Sequence, residues 1–502
     1  MTPKELERSY LEKKDIFHKF INNIKKNSPW DIYTIINPTL IKNPFSSDFP
    51  INFFRNEIKD TNLFFLFLRR LSKYYLRIFY FFISYIFATI LYKIFYKKKR
   101  KNELKIIIDT FALVDKNIKE NKFNENYLTG IYEIFEEYKT EYTILLRPYN
   151  IWKNPFKLIK FFKIINQDKR DFVFEYEFVS IFDFIKLVYI SIIYPFKTLR
   201  LLQKKDNKYN KLFNYSLIDD LKYINYESFT RYILGKNLSK IKSIEKIYSW
   251  SEFQVIERSF NYGIRKSNSN IELIGLQFYL NYETYFNTYC DDLDYEMLSS
   301  PHKMLVNGRY YILNRDLVEY NFGVSLRYKD IFSFNGIKEE KNILLLGSYF
   351  ENDTKYMLEN IRNFESVIFK NHPAVDIKRF GNISKNIIVS SESIYKLFEN
   401  AKIVIGTASG TAIEAVACGI SVVIIASKDN LTANPLIEVG KGKIWDIVYD
   451  VKDLEIKIKN LLEYRAENKT EIKNISKWYK DNFFTPLTHE NLINTFGFVN
   501  DN

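Results

Sequence analysis

The 502-residue chain is 46% hydrophobic and 17% aromatic and carries a formal net charge of +14. Its length suits two or three domains, and its apolar content excludes a globally disordered chain. Its 74 basic residues are spread among 60 acidic ones. No zinc, RNA-binding or helix-turn-helix signature accompanies them, which argues against a nucleic-acid partner and leaves an anionic membrane surface or an anionic small substrate.

The first residues, MTPKELERSYLEKKD, lack the apolar stretch of a signal peptide. Cys290 and Cys418 are the two cysteines and neither belongs to a CxxC pair. Neither a disulfide framework nor a cysteine-rich metal site is expected, and a reducing cytoplasm fits. Residues 64–101 read FFLFLRRLSKYYLRIFYFFISYIFATILYKIFYKKKRK, uncharged from Ile78 to Tyr92. A spanning helix needs roughly 20 apolar residues, a length that snorkelling by Arg77 and Lys93 would approach. Basic residues flank both ends, so charge gives no orientation, and Lys97 to Lys101 would favour an anionic leaflet. A core helix, an in-plane membrane helix and a span all stand open. Aromatics occurring together with lysines suit the in-plane helix. The expectation for 61–101 is an aromatic-rich membrane-associating helical segment, peripheral on the cytoplasmic face of the inner membrane.

After Lys101 the pattern turns to alternating α/β. KIIID (105–109) predicts a strand ending in Asp109. YTILLR (142–147) and FVFEYE (172–177) predict two more, the last with Glu175 and Glu177 on one face, where like charge would raise one pKa. NYLTGIYEIFEEY reads as helical, and a lysine-rich helical stretch covers Leu187 to Lys211. KIYSWSEFQVIERSFNYGIRKS reads as a strand entering an amphipathic helix, IELIGLQFYL as a strand, and KMLVNG as a short strand ending at Gly308. The polar GIKEEKN suggests a boundary near 330–341, giving a first unit over 1–335, a second over 336–480, and a tail or helix over 481–502. The second unit holds NILLLGS (342–348), a helix over 352–362, SVIFKNHP (366–373), NIIVSS (386–391), a helix over 393–400, KIVIG (402–406), a helix over 411–418 and SVVII (421–425). Continuous apolar strands separated by helices predict parallel sheets covered on both faces. Ligands of such sheets sit at the carboxyl ends of the strands.

Within KIVIGTASGTAIEAVACGISVVII (402–425), Thr407 to Thr411 join a strand to a helix start. Free amides and the helix dipole there favour an anion such as phosphate. Gly410 lets the backbone approach closely, and Ser409 and Thr411 add hydroxyls. Glu414, one helical turn in, would accept from a ribose hydroxyl. The plainer reading is a capped helix, with Thr411 and Glu414 as a capping box and Gly419 as its C-terminal stop. A second cluster, Lys370-Asn371-His372-Pro373, ends another strand. Pro373 biases His372 toward an extended backbone, its imidazole can donate to a leaving phosphate oxygen, and Lys370 would offset phosphate charge. Gly347-Ser348 would form a third strand-end loop on the same crevice.

Together, KNHP and SGTAIEAVACG about forty residues later resemble the His-Pro and Ser/Thr motifs of GT-B glycosyltransferases of bacterial surface polysaccharide biosynthesis. They look like the motifs of bacterial sialyltransferases and Kdo transferases, which use CMP-activated acidic sugars. SWSEFQVIERSFNYGIR…IELIGLQFY resembles the Trp-x-Glu-x-Gln region of bacterial surface-carbohydrate proteins. The resemblance covers about 340–430 and, more weakly, 248–280. It implies two Rossmann-like domains facing a central cleft. It also implies a donor phosphate held by Ser409, Gly410 and Thr411, a departing nucleotide stabilised by His372, a ribose bound by Glu414, and an acid facing the sugar from the first unit. Retaining enzymes that use diphosphate sugars carry two glutamates eight positions apart here. This chain has Glu414 but Gly406 in the first place, and no Arg/Lys pair for a pyrophosphate is evident, which favours CMP.

Sugar transfer needs a base or a carboxylate nucleophile. Glu252 is the favoured acid, following Trp250 with Gln254 nearby. Asp109 comes second, Glu175 and Glu177 are further candidates, and Glu257 is expected deeper in its helix. Asp291-Asp292-Leu293-Asp294 contains a DxD string but reads as an acidic loop, and neither a metal nor a resident cofactor is expected. The sequence thus predicts a metal-independent transferase moving a sugar onto a cell-surface glycan or lipid-linked acceptor. The alternatives are a UDP- or GDP-sugar transferase, a CDP-polyol phosphotransferase, and a non-catalytic scaffold in polysaccharide assembly.

Overall fold

The computed structural model describes residues 1–57, 61–98, 102–149, 154–267 and 270–498. Lys99, Arg100 and Lys101 of the basic cluster lie outside the described residues. The first sheet contains β1 (Ile106–Ala112), β2 (Thr143–Pro148), β3 (Phe172–Val173), β4 (Lys246–Trp250), β5 (Glu272–Gln277), β6 (Lys303–Val306) and β7 (Glu319–Phe322), in the order β3-β2-β1-β4-β5-β6-β7. The second contains β8 (Asn342–Leu346), β9 (Val367–Lys370), β10 (Ile387–Val389), β11 (Ala401–Gly406), β12 (Ser421–Ile425) and β13 (Trp445–Val448), in the order β10-β9-β8-β11-β12-β13. Every pairing in both sheets is parallel. Strands such as β2 and β12 are buried along their whole length, which is why their sequences run apolar without alternation. In each sheet the strand order reverses beside its first strand, opening a crevice at the carboxyl ends.

Several elements differ from the sequence reading. β1 continues three residues past Asp109, which therefore lies mid-strand rather than at a strand end. FVFEYE does not form one strand. β3 stops at Val173 and Glu175–Phe178 is a short helix, so Glu175 and Glu177 do not share a strand face. The lysine-rich stretch is broken, one helix covering Ile181–Thr198 and another beginning at Lys208. The edge strands β7 and β13 had no counterpart in the reading, being four residues each with little apolar pattern.

Two helices of the first domain cross with their backbones almost touching. A Cβ on Gly235 would lie 2.4 Å from the Phe260 carbonyl oxygen, and one on Gly263 would lie 2.3 Å from that of Tyr232. This crossing of Glu227–Leu238 with Val255–Lys266 holds Arg231 and Glu257 beneath the ends of β1 and β4.

Leu63–Phe95 is a single 33-residue helix, long and apolar enough to cross a membrane by length and composition. One of its stripes is buried, including Tyr74, Ile78, Phe81, Tyr85 and Ala88, at the spacing expected of one helix face. Tyr74 and Tyr75 donate to the carbonyls of Ser191 and Ile192 at 2.6 and 2.8 Å, which seats the helix beside Ile181–Thr198. The opposite faces of both helices are apolar and exposed, at Phe64, Phe65, Leu76 and Phe79 on the first and at Phe182, Ile185 and Tyr189 on the second.

The chain crosses between the sheets twice. After the helix Lys469–Phe483 in the second domain it returns to the first, where the helix His489–Phe496 packs on β4. Tyr248 donates to the Phe496 carbonyl at 2.8 Å. The two crossings are bonded together. The Ser325 amide donates to the Thr485 carbonyl, and the Thr485 amide donates to the Ser325 hydroxyl, both at 2.9 Å.

Candidate active site

β4 ends at Trp250, and Phe253 then takes a left-handed backbone, φ 54°, with its ring buried under the Arg258 guanidinium at 3.6 Å. This conformation is uncommon for a bulky residue. It turns the chain sharply into Val255–Lys266 and leaves Glu252 at the mouth of the crevice. The Glu252 carboxylate accepts from the Gln254 side-chain amide at 2.6 Å and from the Trp250 indole at 3.4 Å. Burial raises its pKa, and the two hydrogen bonds and the charges of Arg327 and Arg147 offset only part of that rise. Tyr127, Tyr279 and Tyr285 surround it. Glu257 is not deep in the helix. It lies in the first turn and accepts from the Gln254 amide at 2.8 Å, and burial lifts its pKa to about 7.

Beneath Glu252 lies a small cavity lined by Asp109, Arg147, Arg231, Trp250 and Glu257. Asp109 is fully engaged there. Arg231 donates to both of its oxygens, one at 2.9 Å, and the Ser249 hydroxyl donates to it at 2.6 Å. Asp109 therefore holds a neighbouring strand and helix together, and neither of its oxygens is free for a reacting hydroxyl. Glu175 is half-buried beside Glu227, with Arg147 and Arg231 opposing, and desolvation lifts its pKa to about 7. Glu177 is exposed. In the acidic loop, Asp291 caps the helix Asp292–Glu296, and Asp294 takes Arg258 at 2.6 Å and Lys25 at 2.8 Å.

In the second domain, the Nδ1 of His372 accepts from the Ala374 amide at 3.2 Å, which places the ring proton on Nε2. Burial lowers the His372 pKa, so the ring is neutral at pH 7. Tyr349 lies edge-on to it at 5.8 Å. A Cβ on Gly347 would come within 2.9 Å of the His372 amide nitrogen, so glycine permits this close approach of two strand-end loops. Ser348 is buried within its own loop, accepting from the Phe350 amide at 3.0 Å, rather than lining the crevice. Lys370 turns toward the loop after β10, where it donates to the Glu392 carbonyl. The Asn371 amide donates to the Val375 carbonyl at 2.7 Å, while its oxygen is buried without a partner. Pro373 is exposed.

At the turn after β11, Ser409 and Gly410 are partly exposed, and Thr407 is tied to the Ile425 carbonyl. The capping box is not formed. Gly410 occupies the cap position without a side-chain cap, and Thr411 is the first helical residue, its hydroxyl set against Glu414. Glu414 is buried and accepts from the Tyr395 hydroxyl at 2.6 Å, so its carboxylate faces the protein interior rather than an open ribose site. Gly419 is left-handed, φ 82°, as a helix stop requires.

The two half-sites meet. Leu280, just beyond β5, packs on Gly410, and the Gly410 amide faces the Tyr282 phenol oxygen. Phe45 bridges Tyr285 and Tyr349, at 4.7 and 5.3 Å. Arg327 is exposed between the halves, close enough to act electrostatically on both Glu252 and Glu414, and has no ion-pair partner among the described residues. The sequence reading missed Arg327, which lies in the short 3-10 helix Leu326–Ile331 after β7. It also passed over the tyrosine-rich NYETYFNTY (281–289), whose repeated aromatics were the available signal.

No family model matches the chain, and no curated protein matches it. Solved structures do. A UDP-N-acetylglucosamine 2-epimerase from Methanocaldococcus jannaschii, in complex with UDP-GlcNAc and UDP, is 11% identical over 75% of this chain and 99% of its own, with a TM-score of 0.39. The calicheamicin glycosyltransferase CalG4 is 9% identical over 76% of this chain and 96% of its own, with a TM-score of 0.38. The wall teichoic acid polymerase TagF is 12% identical over 84% of this chain and 93% of its own, with a TM-score of 0.37. These likenesses concern the path of the backbone and leave side-chain roles to the geometry above. The strand orders and the facing carboxyl ends define the architecture. Two Rossmann-like domains meet across a cleft, the arrangement called GT-B.

Proposed function

We propose that the chain is a metal-independent glycosyltransferase that moves a sugar from a nucleotide-sugar onto a cell-surface glycan or a lipid-linked acceptor. The observation that carries this reading is the meeting, across Leu280 and Gly410, of Glu252 from one sheet with the strand-end loops of the other. In this reading Glu252 takes the proton of the acceptor hydroxyl as that oxygen attacks the anomeric carbon. The bond from that carbon to the phosphate oxygen breaks, and its electron pair stays on the phosphate. The Nε2–H of His372 donates to that oxygen, and Arg327 offsets its charge. Ser409, Gly410 and Thr411 hold the phosphate.

The donor is a CMP-activated acidic sugar of Kdo or sialic-acid type, because a single free guanidinium suits one phosphate better than two. The exposed apolar faces of Leu63–Phe95 and Ile181–Thr198 rest in the cytoplasmic leaflet of the inner membrane, where a lipid-linked acceptor would be met. The test is a thermal-shift titration with CMP, UDP, GDP and CDP, beside the Ser409→Ala/Thr411→Ala variant. Stabilisation by CMP that the variant loses supports the reading. Stabilisation by UDP or GDP instead discards the donor, and no response to any nucleotide favours a scaffold.

A further inference from the structure

On the side of the second domain away from the cleft runs an open groove of about 770 Å³ between the interdomain segment 331–340 and the helices Leu454–Glu467 and Lys469–Phe483. Its wall carries Arg465, Lys469, Lys473, Lys477 and Lys480, and among the described residues the carboxylate of Glu340 is the only acid lining it. At 100° per residue the four lysines fall within about 80° of one another, so they share one helix face. They span roughly 16 Å along it, the first three in steps of about 6 Å. None of the four has an ion-pair partner among the described residues, whereas many surface lysines of this chain do.

Arg465 supplies a second observation. Its side chain is only 8% exposed, one terminal nitrogen is paired with Glu340, and the other is buried with no partner among the described residues. An unsatisfied buried guanidinium nitrogen is unfavourable, and an anion seated in the groove that Arg465 lines would supply an acceptor. The carboxyl end of Thr411–Ala417 also reaches the groove and disfavours an anion. A dipole end is worth about half a charge, however, and the four unpaired lysines outweigh it.

We propose that this groove binds an extended anionic glycan, with one carboxylate or phosphate per few ångströms of chain. The spacing of the lysines suits a repeating anion rather than a single phosphate. A nucleic acid would also meet the charge, but the groove's one lining ring, Phe334, is packed against Tyr395 and Phe398 and offers no stacking platform. Neither the groove nor its charge depends on the reaction proposed above.

The test uses the full chain and a fluorescein-labelled oligogalacturonate, read by anisotropy over a salt series. Three proteins are compared: wild type, Lys473→Glu/Lys477→Glu, and Lys204→Glu/Lys205→Glu, which makes the same charge change on the exposed surface of the first domain. The groove variant is expected to bind at least tenfold more weakly with a shallower salt slope, and the control within twofold of wild type. Equal loss in both variants would show binding to net charge alone and overturn the site. Displacement of the probe by inorganic phosphate at equal charge concentration, or by single-stranded RNA at a tenfold lower one, would overturn the assignment to an extended glycan. CMP stabilisation measured on the groove variant separates this site from the cleft.

Discussion

Leu280 of the first domain lies so close to Gly410 of the second that a Cβ on Gly410 would sit 3.0 Å from the Leu280 Cβ. Residue 410 therefore works as an interdomain contact as well as part of a turn. Gly410→Ala is expected to cost about 1–3 kcal/mol by overpacking, unless the Leu280 loop yields. Leu280→Gly is costly in itself because it empties a buried site, but in its background the added cost of Gly410→Ala should be small. A double-mutant cycle by urea denaturation measures the coupling, and simple additivity would mean the two residues do not meet in solution.

Glu252→Gln is expected to lower the transfer rate by 10²–10⁴, the range of a lost general base. Its melting temperature should stay at or slightly above wild type, because the change removes a charge that burial disfavours. A variant that kept its rate would remove Glu252 from the chemistry.

Asp109→Ala should behave in the opposite way. It strands Arg231 in the interior and is expected to cost about 3–5 kcal/mol of stability. Urea unfolding of the two variants side by side separates a structural carboxylate from the one proposed to react.

Glu175 and Glu257 carry pKa values raised to about 7, by burial first in both cases. A carboxyl with a raised folded pKa binds its proton more tightly in the native state. Its contribution is therefore complete below the unfolded value of about 4.3 and is lost as pH rises through 7. Stability from these two groups should fall between about pH 4.3 and about pH 7. Glu175→Gln, which cannot titrate, should flatten that part of the profile in denaturant melts, and an unchanged slope would place the titration elsewhere.

Phe64→Ser combined with Phe79→Ser and Phe182→Ser removes exposed rings from both apolar helices without touching their buried faces. Loss of co-sedimentation with vesicles containing anionic lipid is expected, with transfer to a soluble acceptor unchanged. Retained binding would mean that neither helix face meets the bilayer.

The α/β pattern was legible because most strands are buried on both faces and read as unbroken apolar runs. β7 and β13 were not, since an edge strand of four residues leaves too few positions for a pattern. Glu252 could be picked out because it follows a strand beside Trp250. The burial that makes it different from Glu177 comes from Tyr127, Tyr279 and Tyr285, which are distant in sequence or lie in an irregular loop. Asp109 misled for the same reason: its partner Arg231 lies 122 positions away. The role of Lys370 and the enclosure of Glu414 by Tyr395 depended on which way side chains turn from otherwise well-placed loops.

The paired crossings at Ser325 and Thr485 join the two domains by two straps bonded side by side rather than by one. Two such tethers restrict twisting of one domain against the other more than a single linker would. The same arrangement makes the last helix a clasp on the first sheet. Cutting the chain before His489 would loosen the domain at the opposite end of the sequence, and the two halves cannot be separated as independent pieces by severing the segment between β7 and β8.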